Sequence, residues 1–429
     1  MNETDNAYWT GFIDAEGAIG LTKKKNPKHT RSIVLSVLLC SSLVLLAGAS
    51  TIWSQTYGGS GTDYAYSVVT TSDGGYALAG VTDSFGAGKS DFWLVKTDAF
   101  GNMEWNKTYG GTSTDYAYSL VGTSDGGYAL AGQTSSLGAG SSDSWLVKTD
   151  ALGNMQWNKT YGIGSVNSLV ATSDGGYTLA GGSLLVKTDA LGNVQWNKTY
   201  GEGGFRSLIA TSDGGYALAG SMFVKTDALG NMEWRNAYGG TAYSLVETPD
   251  GGYAIAGTIS WESPITGTSS AAWLVKTDSN GVVEWNQTVG EAWKTWNSAH
   301  SLVAASDGGY VMAGFSSSDS LLVKIDSNGV MEWTQTYGRK GTDGAWSLVA
   351  TSDGGYAMAG IATSFDGKSF DFYLVKTDEL GFSPTPTDFS GLIPLLLVTA
   401  ASLAAVAILL ILIKRKKLLR KRSFEEADV

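Results

Sequence analysis

One short pattern returns seven times along the chain, and its period limits the folds available to it. Each copy opens on a tryptophan: Trp53, Trp105, Trp157, Trp196, Trp234, Trp285 and Trp333, at spacings of 52, 52, 39, 38, 51 and 48 residues. The second copy shows the unit as WNKTYGG, then AYSLVGTSDGGYALAG, then WLVKTDALGNMQ. It divides into four strand-like pieces: Ser119–Thr123, Tyr128–Gly132, Trp145–Thr149 and Met155–Tyr161. The turns Ser124-Asp125-Gly126-Gly127 and Asp150-Ala151-Leu152-Gly153-Asn154 separate them, with glycine available for positive φ. Four short antiparallel strands in 38–52 residues is the size of one propeller blade. The repeat therefore predicts an all-β fold over residues 51–382, a seven-bladed β-propeller of four-stranded antiparallel blades.

The phase of the repeat adds a prediction about closure. The first copy enters on Ile52–Gly58, a fourth strand with no blade before it, and the last ends at Leu374–Phe382, a third strand with no fourth. If Trp53 joins the sheet of Phe372–Lys376, the orphan completes the last blade and the ring has no free edge. An open solenoid gains nothing from such a phase shift, and capping repeats are not visible.

Composition agrees with many short strands joined by tight turns: Gly 57, Pro 6 and 11% aromatics. Cys40 is the only cysteine, so no disulfide forms within the chain. His29 and His300 are the only histidines, too few for a histidine metal cluster. The net charge of -11 is unevenly spread. Removing residues 1–50 (five basic, four acidic) and 414–429 (seven basic, three acidic) leaves 51–413 with 17 basic and 33 acidic groups, a net of -16. A middle this acidic disfavours nucleic acid as a partner, since phosphate contacts need a basic face.

Two apolar segments flank the repeats. Ser32–Ala49 follows Lys23, Lys24, Lys25, Lys28 and Arg31 and ends on Ala47-Gly48-Ala49, a small-residue cleavage pattern. Residues 32–50 read as a signal peptide or, uncleaved, as a signal anchor. Leu392–Ile413 is 22 residues without a charge, long enough for a transmembrane helix. A basic tail at 414–429 follows it, so the positive-inside rule places the tail in the cytoplasm and the propeller outside the cell membrane. Residues 383–391 read as a short stalk.

Two resemblances follow from quoted motifs. Lys-Thr-Asp-x-x-Gly-Asn-x-x-Trp, as in Lys148–Trp157, and Thr-Ser-Asp-Gly-Gly-Tyr, as in Thr123–Tyr128, resemble the surface-protein propeller repeats common in archaea, often grouped with quinoprotein-like (PQQ-type) propellers. That resemblance implies that the seven tryptophans dock blades together. It implies a quinone and calcium site only where ligands match, and none do, so no cofactor is expected. Tyr8-Trp9-Thr10-Gly11-Phe12-Ile13-Asp14-Ala15-Glu16-Gly17-Ala18-Ile19 resembles the core motif of LAGLIDADG homing endonucleases, in which the residue matching Glu16 binds a metal. The remainder of that family's fold is missing, so residues 1–31 are read as a remnant without nuclease activity.

Chemistry-bearing residues mostly repeat blade by blade. Asp73, Asp125, Asp174, Asp213, Asp250, Asp307 and Asp353 of the Asp-Gly-Gly turns are read as turn acceptors. Calcium loops need several oxygen ligands close together, so no metal is assigned. A catalytic carboxylate pair should break the repeat, so no catalytic residue is assigned, although a carbohydrate-active or quinoprotein-like enzyme stays as the alternative. Asn106, Asn158, Asn197 and Asn286 fit the glycosylation sequon. What varies is loop length, and only in the connections from fourth to first and second to third strands. Both lie at one end of an antiparallel blade, and insertions confined to one face mark a binding face. The long loops gather in ring-adjacent blades seven, one and two. The expected ligand residues are Asp63, Tyr64, Asp91, Asp115, Tyr116 and Trp346, with Trp293 and Trp296 as a secondary patch. The sequence reading is a non-catalytic, membrane-anchored binding, adhesion or envelope protein with an extracellular polysaccharide or protein ligand.

Overall fold

The computed structural model describes residues 52–382, apart from 140–141, 163, 264–266, 290–296, 340 and 366. The expected LAGLIDADG-like, signal, stalk, membrane and tail segments lie outside these residues, as do Trp293 and Trp296. No helix among the described residues is long and apolar enough to cross a membrane.

Seven four-stranded antiparallel sheets follow one another along the chain. Blade one runs Asp63–Thr70, Tyr76–Thr82, Asp91–Thr97 and Met103–Tyr109, from the ring centre outward. Blade seven supplies only three strands in sequence: Asp343–Ala350, Tyr356–Thr363 and Phe370–Thr377. Its fourth is Trp53–Tyr57, with Trp53 opposite Lys376 and Tyr57 opposite Phe372. The orphan strand thus closes the ring, and the final blade has no unpaired outer edge left by the missing piece.

Small recurring contacts join neighbouring blades. On each innermost strand one serine hydroxyl accepts a backbone N–H from the next blade: Leu120 donates to Ser67 and Leu169 to Ser119, both at 3.1 Å. The relay continues through Ser168, Ser207, Ser244 and Ser301, and Val68 closes it by donating to Ser347 at 3.1 Å. At the periphery, each opening tryptophan sets its ring against a tyrosine of the following blade, from Trp53–Tyr76 at 5.7 Å to Trp333–Tyr356 at 6.4 Å. The same indole covers the glycine of the next Asp-x-x-Gly turn. A Cβ on Gly101 would lie 2.5 Å from Trp53, and its φ of +78° already favours glycine.

Inside each blade, a lysine of the third strand holds the Asp-Gly-Gly turn. Lys96, only 5% exposed, reaches Asp73 Oδ2, Glu104 Oε2 and the Thr97 carbonyl, each at 2.8 Å. Asp73 Oδ1 meanwhile accepts from Thr71 Oγ1 and the Gly75 N–H. Every blade repeats the ion pair, through Lys376–Asp353 in blade seven at 2.8 Å. The turn aspartates are therefore bonded within their turns and also neutralise a buried ammonium, which would be costly to leave unpaired.

This arrangement has a pH consequence. The lysine bonded to Asp125, Asp174 and Asp250 pulls each carboxyl from its ordinary 3.8 down to about 2. A depressed carboxyl stabilises the fold fully above its unfolded pKa and loses that contribution as pH falls through the folded value. The carboxylates are about half exposed, so each contributes modestly, but the loss recurs in successive blades. The urea midpoint is expected to fall most steeply between about pH 4 and pH 2. A flat midpoint across that interval would contradict the role given to these pairs.

Several strands run to other limits than the sequence pattern marked, such as Tyr128–Thr134 and Asp143–Thr149 in blade two and Phe370–Thr377 in blade seven. The innermost strand of blade two begins at Asp115 rather than Ser119, because a β-bulge between Ala117 and Ser119 breaks the alternation that marks a strand. In blade five, residues 260–272 lie within or between two long strands, Tyr253–Ser263 and Gly267–Thr277, which pair along their whole length.

Candidate binding site at the channel mouth

The bulge creates the site. In blade one, Ala65 pairs with Gly80 and Ser67 with Ala79, leaving Tyr66 as the extra residue. Tyr118, Tyr243, His300 and Trp346 occupy the same place in blades two, five, six and seven. In blades three and four, Asn167 and Arg206 stand at that point of the repeat, immediately before Ser168 and Ser207. The bulge needs a glycine on the neighbouring strand. A Cβ on Gly132 would lie 1.8 Å from the Tyr116 carbonyl oxygen, and Gly80, Gly314 and Gly360 face the same obstruction.

These residues meet one another around the ring axis. Ring centroids of Tyr118 and Tyr66 are 5.3 Å apart, Tyr66 and Trp346 5.7 Å, Trp346 and His300 4.4 Å, and His300 and Tyr243 4.5 Å. The Arg206 guanidinium stands 4.9 Å over the Tyr243 ring, a cation–π contact. Side chains from six blades thus form one continuous belt. Asn167 completes the circuit of positions by donating through Nδ2 to the Phe205 carbonyl of the next blade at 2.8 Å.

Arg206 carries the one charge of the belt. Burial, helped by the nearby Arg206 charge, pushes the His300 imidazole down to about 4, so it is uncharged at neutral pH. Ser298 Oγ lies 3.0 Å from His300 Nε2. Burial pushes the Tyr118 phenol up to about 12 and the Tyr66 phenol higher still. The Trp346 Nε1 donor meets no acceptor among the described residues. The belt therefore offers aromatic rings and one guanidinium, with the indole N–H buried, and none of its seven positions is a carboxylate.

Rings above the belt extend it toward the loop face. Tyr64 lies 6.1 Å from Tyr66 and 5.8 Å from Phe370, while Tyr116 stacks parallel to Tyr118 at 6.1 Å. Tyr64, Tyr116 and Trp346 are thus placed at the mouth and in the channel. Asp63, Asp91 and Asp115 lie elsewhere: each is at most 1% exposed and holds a loop. Asp63 Oδ2 accepts from the Gly59 N–H and Ser84 Oγ, Asp115 Oδ2 from Gly111 and Ser136, and Asp91 Oδ2 from Ala87 and Gly88. Asp91 and Asp115 converge from adjacent blades on Gly110, and burial raises the Asp91 pKa. Among the described residues, no three His, Cys, Asp or Glu side chains gather to hold a metal ion.

The long loops of blades seven, one and two also carry Phe365, Phe85 and Leu137. These are the exposed large hydrophobics of the loop face among the described residues. Asn106, Asn158, Asn197 and Asn286 are exposed on the outermost strands, away from the mouth.

Loop length does not reveal the belt. Tyr66, Tyr118, Asn167, Arg206, Tyr243 and His300 escape a reading based on insertions, because every blade keeps the same length there. The available signal was identity. In the five residues around Ala-x-Ser-Leu-Val, position x runs Tyr, Tyr, Asn, Arg, Tyr, His, Trp while its neighbours stay nearly constant.

No family model matches the sequence, and no curated protein does. Among solved structures, the chain is similar to Sqt1 from Chaetomium thermophilum at 11% identity and TM-score 0.49, covering 78% of this chain and 87% of that one. It is similar to the Pan2 WD40 domain of Neurospora crassa at 11% and 0.49, over 76% of this chain and 100% of that one. A Bacteroides caccae protein of unknown function matches at 15% and 0.38, over 52% and 81%. The seven-bladed assignment rests on the strand pairing described above.

Proposed function

We propose that this chain is a membrane-anchored extracellular protein that binds a polysaccharide or protein ligand without catalysing a reaction. The observation that carries this reading is the belt, where one position per blade departs from an otherwise uniform repeat and six of the seven side chains meet. Aromatic rings give large, rigid contact area at little entropic cost, and an open ring face stacks on sugars and side chains alike. The exposed Phe365, Phe85 and Leu137 extend the same chemistry onto the rim of blades seven, one and two. Glycoside hydrolysis needs two flanking carboxylates, and the belt positions hold none. Anchoring rests on Leu392–Ile413 with the basic tail after it. The quinoprotein-like likeness adds a docking scheme for the blades and no cofactor chemistry, and the motif around Glu16 adds no DNA cleavage.

The rim has its own test. Blades three and four close their strands with short connections, so the loops of blades one and two can be cut to those lengths without opening a blade. Binding of the full-length protein to cell-envelope material is expected to fall severalfold while melting is preserved. Unchanged binding with an intact fold would remove the rim from the site.

A further inference from the structure

We propose that the face opposite the channel mouth is a membrane-contacting base, a ring of apolar turn residues that rests on the lipid bilayer. This inference depends on the anchored reading above and gives it an orientation. In an antiparallel blade the Asp-Gly-Gly and Asp-x-x-Gly turns share one end, here called the base. Fourteen of the seventeen exposed large hydrophobics among the described residues lie at or beside the Asp-x-x-Gly turns. Every blade contributes. Leu152, Leu191 and Leu229 are 64–65% exposed, Val282 and Val330 61–63%, and Phe100 57%; Leu380 completes the ring.

A surface of this kind is unusual for a soluble face. Single exposed hydrophobics need no explanation, but a seven-membered ring of them at one level forms an extended apolar rim. The turn itself does not require them. The aspartate and glycine build it, with Asp150 Oδ1 accepting from the Leu152 and Asn154 N–H groups. The leucine side chain projects from that turn and buries little.

The course of the chain identifies the occupant. Phe370–Thr377 runs from the loop face toward the base, and the last described turn, Asp378–Phe382, belongs to the base. Trp53, which begins the closing strand, lies at the same end. Residues 383–391 are nine in number and reach at most about 30 Å before Leu392 begins the apolar run. A bilayer entered by that run is therefore within reach of the base. Apolar side chains of a rim gain by inserting at the headgroup–acyl boundary. Asp98, Asp150, Asp189 and their counterparts stand partly exposed in the same turns, so an anionic surface is disfavoured and a zwitterionic one suits the base. The aromatic mouth then faces away from the membrane, open to ligands.

The test uses full-length protein in phosphatidylcholine vesicles, with Cys40→Ser removing the native thiol. An environment-sensitive fluorophore is attached at Leu191→Cys, at Leu229→Cys, or at Leu137→Cys on the loop face as reference. Expected are blue-shifted emission and severalfold quenching by nitroxide-bearing lipid at the two base positions, with neither at Leu137→Cys. Protein that floats with the vesicles while its base labels stay as wet as the reference overturns this inference and leaves the anchor standing. Protein that does not float at all removes the anchored reading and the inference with it. A blue shift without lipid quenching means that protein covers the ring, which also overturns the proposal.

Discussion

Deleting Ile52–Gly58 from the full-length chain is expected to lower the melting temperature by on the order of 10–20 °C. The deletion removes all five residues that pair with Phe372–Lys376. Trp53 seals the contact with Tyr76 and Gly101, and the buried Tyr57 donates its hydroxyl to the Gly101 carbonyl at 2.6 Å. Losing a packed aromatic costs about 3–5 kcal/mol. Two such losses approach the whole stability of an ordinary domain, about 5–15 kcal/mol. Each kcal/mol shifts melting of a large domain by about 2 °C or more. The removal also unpairs the outer edge of blade seven and exposes the side of blade one, so both sides of the closure are weakened. An open array would lose only a fraying end. Differential scanning calorimetry of the deleted and parent proteins distinguishes the two, and equal melting temperatures would mean that the closing strand does not hold the ring.

The fold was more legible in sequence than the site, for a physical reason. Blade count, turn positions and closure all follow from residues that repeat, because each blade solves the same packing problem with the same tryptophan, tyrosine and paired glycines. Even the phase of the first strand could be read, since Ile52–Gly58 duplicates a fourth strand. The Lys–Asp pairs were not legible as pairs. Lys96 and Asp73 stand 23 positions apart, and only the antiparallel register brings them together. Apart from Trp346, the belt stayed hidden because a bulge shifts alternation by one residue, so Tyr66, Tyr118 and Tyr243 look like ordinary strand residues. Asp63, Asp91 and Asp115 attracted notice as polar loop-end residues. Their carboxylates are instead engaged by backbone N–H groups and serine hydroxyls inside the loops.

The second large effect is expected at the belt. Trp346 joins Tyr66 on one side to His300 on the other, at 5.7 and 4.4 Å, and Phe315 packs beside it at 4.9 Å. Truncating a central aromatic of a binding site costs about 2 kcal/mol or more, about thirtyfold in affinity. Trp346 and Tyr66 are half-buried among the belt side chains, whereas blade cores are built by residues such as Leu78, Leu94 and Phe372. Trp346→Ala and Tyr66→Ala should therefore leave the blades folded, with melting lowered by no more than about 5 °C. Rim loops are cheaper to change and contribute less, since loop tips tolerate alteration.

The measurement that bears most directly on the account is a binding titration of the full-length protein against glycans and envelope proteins. The parent is compared with Trp346→Ala and Tyr66→Ala, and melting is recorded for all three. The account predicts a ligand of the parent whose affinity falls at least about thirtyfold in both variants while each still melts cooperatively. Folded variants that bind that ligand as tightly as the parent would contradict it.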